Sequence, residues 1–169
     1  MLVLRSQQGD RAALEQLVQR WQQPMYRYAL RMLGDSDGAL DTVQETWLAA
    51  IKGIVGLKDI TRFRVWLFRV LANKCRDRGR VLARTKRRLQ KIAQQPIRDS
   101  VPCSQQELQD NVRHCLEQMS TESKSILLLR YMEDFSLEDI ADVLGLPDGT
   151  VRSRLHRARK QLRDILERT

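Results

Sequence analysis

The chain has 169 residues, 42% of them hydrophobic, and its 30 Lys and Arg against 21 Asp and Glu leave a net charge of +9. That length holds one medium domain or two small ones, and the excess of cations points to a polyanionic partner or a solubilising surface. The longest aliphatic run, Ile126 to Leu129, is far short of the roughly 20 apolar residues that cross a bilayer, which excludes a membrane-spanning chain and any membrane insertion.

The first ten residues carry no basic head, apolar stretch and small-residue cleavage site, so no secretory signal is read and a cytoplasmic location is expected. From there apolar residues recur at helical spacing: Leu14, Leu17, Val18 and Trp21, then Leu40, Val43 and Trp47, then Phe63, Trp66, Leu67, Val70 and Leu71. Asp10 suits a helix N-cap, Pro24 a first helical turn and Gly34 the left-handed position after a helix end. Four helices are therefore predicted between about residues 10 and 88.

Between Leu89 and Gln106 the pattern lapses into a polar, Gln-rich stretch broken by Pro96, Pro102, Ser100 and Ser104, which reads as a flexible linker. Beyond it Leu108, Val112, Cys115, Leu116 and Met119 restore the stripe. Further helices are predicted from about Glu122 to Met132, Ser136 to Leu144 and Thr150 to Glu167. The expected fold is all-α, two small helical domains on a tether.

Charge is uneven along this plan. Residues 1–80 carry a net +6, 81–99 +5, 100–148 −7 and 149–169 +5, so the overall figure averages specialised faces. Cys75, Cys103 and Cys115 are an odd set without paired spacing and are read as reduced thiols. No phosphate-cradling Gly loop, metal cluster or His or Cys dyad stands at catalytic spacing. Neither an enzyme nor a cofactor is expected.

The sharpest local signal is the stretch from Ser136 to Ala158. Ser136 and Asp139 form a capping box for a first helix, small Ala141 lets a second helix cross closely, and Gly145 supplies the left-handed residue of a tight turn. Ile140, Leu144, Leu146, Val151 and Leu155 point inward. The second helix then presents Thr150, Arg152, Ser153, Arg154, His156, Arg157, Arg159 and Lys160. Such a face suits a major groove, with Arg reaching guanine edges near the helix start and flanking cations on phosphates; the plainer alternative is a solvated basic helix closing a bundle.

At this point both halves resemble one family, the sigma-70 factors of bacterial RNA polymerase, in the short extracytoplasmic-function (group 4) form. Residues 125–159 resemble region 4, which reads the promoter minus-35 element. Asp41-Thr-Val-Gln-Glu-Thr-Trp47 resembles region 2.2, and Phe63-Arg-Val-Trp-Leu-Phe-Arg-Val-Leu-Ala-Asn73 resembles regions 2.3 and 2.4. The resemblance implies a region 2 domain over 1–88, a linker over 89–106 and a region 4 domain over 107–169.

It also implies roles. Asp41, Gln44, Glu45 and Trp47 would dock on the clamp helices of the largest subunit of core RNA polymerase, although Trp47 shares the Leu40 and Val43 stripe and is assigned to the core. The loop Gly56 to Thr61 and the helix after it would capture the minus-10 strand, with Lys58, Arg62, Arg64, Asn73, Lys74, Arg76 and Arg80 supplying cations and one amide. Phe63 and Trp66 could stack on bases but lie on the core stripe. Thr150, Arg152, Ser153, Arg154, Arg157 and Lys160 would read promoter DNA at minus-35, while region 4 meets the flap of the second-largest subunit.

Factors of this type are commonly held inactive by an anti-sigma factor that clamps the two domains, so the resemblance implies that partner as well. Gly38 and Thr42 stand where acidic or aliphatic residues are more usual, which would start the docking helix later. The basic cluster Arg84 to Lys91 replaces the acidic linker of many members. The function implied is binding of core polymerase and promoter-specific initiation; the alternative is an autonomous helix-turn-helix regulator that binds duplex DNA without polymerase.

Overall fold

The computed structural model describes residues 1–92 and 114–167, with the side chains of 86–92 excepted. Among the described residues every regular element is helical: α1 (Leu2–Gln7), α2 (Arg11–Leu33), α3 (Ser36–Gly53), short 3-10 turns at Ile54–Gly56 and Ile60–Arg62, α4 (Phe63–Ile92), α5 (Thr121–Tyr131), α6 (Leu137–Leu144) and α7 (Asp148–Leu166). Residues 114–117 are also helical. Cys103 and the predicted linker beyond residue 92 lie outside the described residues.

Local chemistry explains most boundaries. The Asp10 carboxylate accepts the Ala13 N–H at 3.1 Å and opens α2, and Gly34 closes it at φ 74°. Asp35 accepts the Gly38 N–H at 2.8 Å and opens α3, each such cap contributing on the order of 1 kcal/mol. The helix therefore begins at Ser36, not later. Gly38 suits this cap, because a Cβ there would stand 2.5 Å from the Asp35 carboxylate.

Pro24 departs from expectation. It sits inside α2, not at a helix start, so three long helices and two 3-10 turns replace the four predicted between residues 10 and 88. Proline removes one backbone hydrogen bond. Burial outweighs that cost: Ala13 and Leu17 before it, and Met25, Tyr28 and Ala29 after it, all enter the same core. Leu40, on the stripe that carries Val43 and Trp47 into the core, is itself 46% exposed. Helix α4 continues through Ile92, so the first residues of the predicted linker are helical.

The N-terminal group α1–α4 and the C-terminal group α5–α7 share one continuous core that runs from Leu17 to Ala158. Phe68 of α4 stacks edge-on against Tyr28, Trp21 and Phe135, with centroids 5.8, 6.4 and 5.2 Å away. Phe135, in the turn before α6, is 1% exposed. The Tyr28 and Ser125 hydroxyls, 97 positions apart, meet at 2.6 Å in the same interior, where burial pushes the Tyr28 phenol up. Cys75 and Cys115 are free and buried, and burial raises the Cys75 thiol to about 12. That makes it a poor nucleophile.

Candidate nucleic-acid interface

Three surfaces carry the predicted residues. The first is helix α7. Ser136 makes its half of the predicted capping box, accepting the Asp139 N–H at 3.0 Å. The Asp139 carboxylate does not return the bond; it turns to Arg62 at 3.0 Å. Gly145 ends α6 at φ 66°, ψ 40°, and the Leu146 N–H bonds back to the Ala141 carbonyl at 2.9 Å, which fixes the tight turn. Ile140, Val151, Val143 and Ala158 are fully buried at the crossing, whereas Leu144, Leu146 and Leu155 are half-buried.

The outer face of α7 is polar and basic. Arg152, Ser153, His156, Arg157, Arg159 and Lys160 are exposed, and Thr150 and Arg154 are half-exposed. Arg154 is committed to Glu122 of α5, Ser153 donates to the Thr150 carbonyl at 3.0 Å, and Arg157 to the Ser153 carbonyl at 3.4 Å. Arg152 and Lys160 have no protein partner among the described residues. Arg152 is thus the freer of the two arginines near the start of α7.

The second surface is an open cleft of about 550 Å³ between α2 and α3, lined by Val18, Tyr26, Leu40, Gln44, Trp47 and Leu48. Leu40, Leu48, Ile51 and Val55 lie exposed along one side of α3 and the turn after it. An apolar strip of this kind is a common mark of a protein interface. Trp47 is buried, yet its indole N–H has no acceptor. Leaving such a donor unpaired costs about 1–3 kcal/mol.

Of the four residues read as polymerase contacts, the structure brings Gln44 and Trp47 together in this cleft. Asp41 and Glu45 instead pair with Arg78 and Lys74 of α4, at 3.0 and 3.1 Å. Thr42 is buried, its hydroxyl donating to the Gly38 carbonyl at 2.7 Å. Sequence reading missed Leu48, Ile51 and Val55; the spacing of Leu40, Leu48 and Ile51 on one helical face was the available signal.

The third surface is the loop before α4 and α4 itself. Lys58 is exposed at the loop. Asn73 accepts from Arg76 at 3.3 Å, and Arg80 pairs with Asp77 at 3.7 Å. Phe63 is buried and Trp66 half-buried, with ring centroids 5.9 Å apart. Arg76 and Arg80 also line a cleft against Glu122 and Arg154 of the C-terminal group, and two further predicted cations bond to that group directly. Arg62 holds Asp139 and Asp142 at 3.0 and 2.7 Å. Arg64 donates to the Glu133 carbonyl and lies over the Phe135 ring, 4.2 Å from its centroid. Burial pushes the Glu133 carboxyl up, against the pull of Arg64 and Arg27. In this arrangement neither arginine is available to a phosphate.

Both halves of the chain match known protein families. The family models for sigma-70 region 2 and sigma-70 region 4 match residues 17–88 and 109–162. The chain is 30% identical to the RNA polymerase sigma-H factor of Pseudomonas aeruginosa, covering 98% of this chain and 92% of that one. It is also 30% identical to the ECF RNA polymerase sigma factor SigM of Mycobacterium tuberculosis, covering 94% and 79%. Among solved structures, the sigma factor RpoE of Bartonella quintana, crystallised with the anti-sigma factor NepR, shares the fold at TM-score 0.73 and 24% identity, over 90% of this chain and 96% of that one. With two sigma-70 regions in order on one chain and relatives at 30% identity matched over 79–92% of their length, the protein belongs to the extracytoplasmic-function group of the sigma-70 family.

Proposed function

We propose that the chain is a promoter-specificity subunit that binds core RNA polymerase through the α2–α3 cleft and directs initiation at promoters with minus-10 and minus-35 elements. The observation that carries this is one chain bearing both an apolar cleft edged by exposed Leu40, Leu48, Ile51 and Val55 and, on a separate helix, an exposed basic face behind a helix-turn-helix. The first recruits a protein and the second a duplex. The chain acts by binding, not by catalysing a reaction, and works where polymerase works, in the cytoplasm.

In this reading α7 enters the major groove at minus-35, with Arg152 on a base edge and Thr150, Ser153, Arg154, Arg157 and Lys160 around it. The loop at Lys58 and helix α4, with Arg62, Arg64, Asn73, Lys74, Arg76 and Arg80, take the minus-10 strand. Unstacking each base costs a few kcal/mol, which capture of the extruded base and strand contacts offset. Arg62 and Arg64 can join only after the C-terminal group leaves α4, so the closed arrangement corresponds to the free protein. An anti-sigma factor, present on the structural relative, is a partner that would hold this chain off polymerase.

Transcription in vitro with purified core polymerase tests the proposal. The chain should convert core enzyme from random to promoter-specific initiation. Sequence-specific binding to duplex without polymerase, and no initiation with it, would assign an autonomous regulator instead.

A further inference from the structure

Helix α1 lies outside the residues that match region 2, and its last residue makes an unusual pair of contacts. The Gln7 carboxamide nitrogen donates one hydrogen to the Ile54 carbonyl and the other to the Leu57 carbonyl, both at 2.8 Å. Both partners can only accept, which fixes the orientation of the amide. The two carbonyls bracket the 3-10 turn that leads into the loop before α4; the Ile54 carbonyl also accepts the Leu57 N–H at 3.1 Å, so Gln7 reinforces that turn and ties its end to α1.

The far side of that loop is tied separately. The Asp59 carboxylate accepts the Thr61 N–H at 2.9 Å and the Thr61 hydroxyl at 2.5 Å, and the Arg62 N–H bonds to the Asp59 carbonyl at 3.2 Å. Between the two ties Lys58 stands exposed. The brace itself is anchored. Leu2 and Val3 pack on the core, and the Arg5 guanidinium meets the Asp10 carboxylate that caps α2, at 2.6 Å. Gln7 therefore links the loop to the start of α2 through a helix that the motif does not include.

We infer that Gln7 is a positioning residue for minus-10 recognition: by holding the Ile54 and Leu57 carbonyls it sets the loop that selects the extruded base. The inference rests on the proposed role of that loop. Side-chain N–H donors are required, since Glu at this position would set acceptors against two carbonyls and Ala would remove the tie between them and α1. Arg, with several N–H donors, can serve both.

The test uses the full-length chain with core polymerase on promoters that differ at single minus-10 positions, comparing wild type with Gln7→Glu, Gln7→Ala and Gln7→Arg. Losing the two bonds should cut discrimination among minus-10 sequences on the order of fivefold in Gln7→Glu and Gln7→Ala. Core binding and minus-35 preference should hold, and Gln7→Arg should recover most of the selectivity. Gln8→Ala, at the exposed neighbouring residue, should leave the ratios unchanged. Unchanged minus-10 ratios, or an equal loss on every promoter, would overturn the inference. Amide exchange of residues 54–61 in the free chain separates its failure from failure of the underlying reading. Faster exchange in Gln7→Glu with a wild type indifferent to minus-10 sequence would leave the brace real but refute both the loop's role and the positioning claim; unaltered exchange would refute the brace itself.

Discussion

Removing the Phe135 ring should open the molecule, and removing the nearby ion pairs should not. Phe135 is 1% exposed and sits 5.2 Å from Phe68 and 4.2 Å beneath the Arg64 guanidinium. Truncating so buried an aromatic side chain costs about 3–5 kcal/mol. Arg62 reaches Asp139 and Asp142, but those side chains are between a third and just over half exposed, and pairs of that kind contribute about 0.2–1 kcal/mol each. Phe135→Ala should thus shift the closed-to-open ratio by more than about a hundredfold, and Arg62→Ala by less than about thirtyfold. Small-angle scattering reads the difference as a larger radius of gyration in Phe135→Ala, while wild type stays compact even at about 1 M salt, where exposed ion pairs are screened. Opening by Arg62→Ala or by salt, with Phe135→Ala still compact, would refute the ranking of aromatic packing above charge.

Arg152→Ala should relax preference at one minus-35 position by about 1–3 kcal/mol, the worth of a lost bidentate base contact, whereas Arg154→Ala should act more weakly because Arg154 is already held by Glu122; promoter titrations with base substitutions compare them. Leu48→Asp places a charge on the exposed side of the α2–α3 cleft and should weaken core polymerase binding at least tenfold without lowering the urea midpoint; unchanged affinity would remove that cleft from the account. Glu133 has a folded-state carboxyl raised above its ordinary value of 4.5, chiefly by burial. It therefore favours the folded state most at pH below that ordinary value, and this contribution is lost as pH rises through the raised one. Glu133→Gln should accordingly gain thermal stability relative to wild type at pH 7 and lose that advantage near pH 4; a large loss of stability at pH 7 would show that the charge pairing outweighs desolvation.

Local signals carried the helix-turn-helix into the structure nearly intact, because Ser136 and Gly145 act through bonds within a few residues. Pro24 misled for the complementary reason: its local preference is overruled by burial on both sides of it, which depends on distant helices. Leu40 and Trp47 share one stripe, and spacing cannot say which edge of a stripe is covered; only the path of α2 does. The packing of the C-terminal group on α4 was not legible at all. Tyr28, Ser125 and Phe135 are ordinary core-forming or polar residues, and their meeting spans 97 positions in the first pair. Arg62 and Arg64 read correctly as cations next to a loop, yet nothing in their spacing announces that Asp139, Asp142 and Phe135 would hold them. Gln7 stands outside every motif, and its role follows only from two carbonyls some fifty residues away.

Permanganate reactivity of unpaired thymines reports whether the chain and polymerase together open a minus-10 element. Reactive thymines should appear only when the chain and core polymerase are both present, and reactivity should be lost when the minus-10 sequence is changed. Protection of duplex by the chain alone, with no reactive thymines after core polymerase is added, would contradict it.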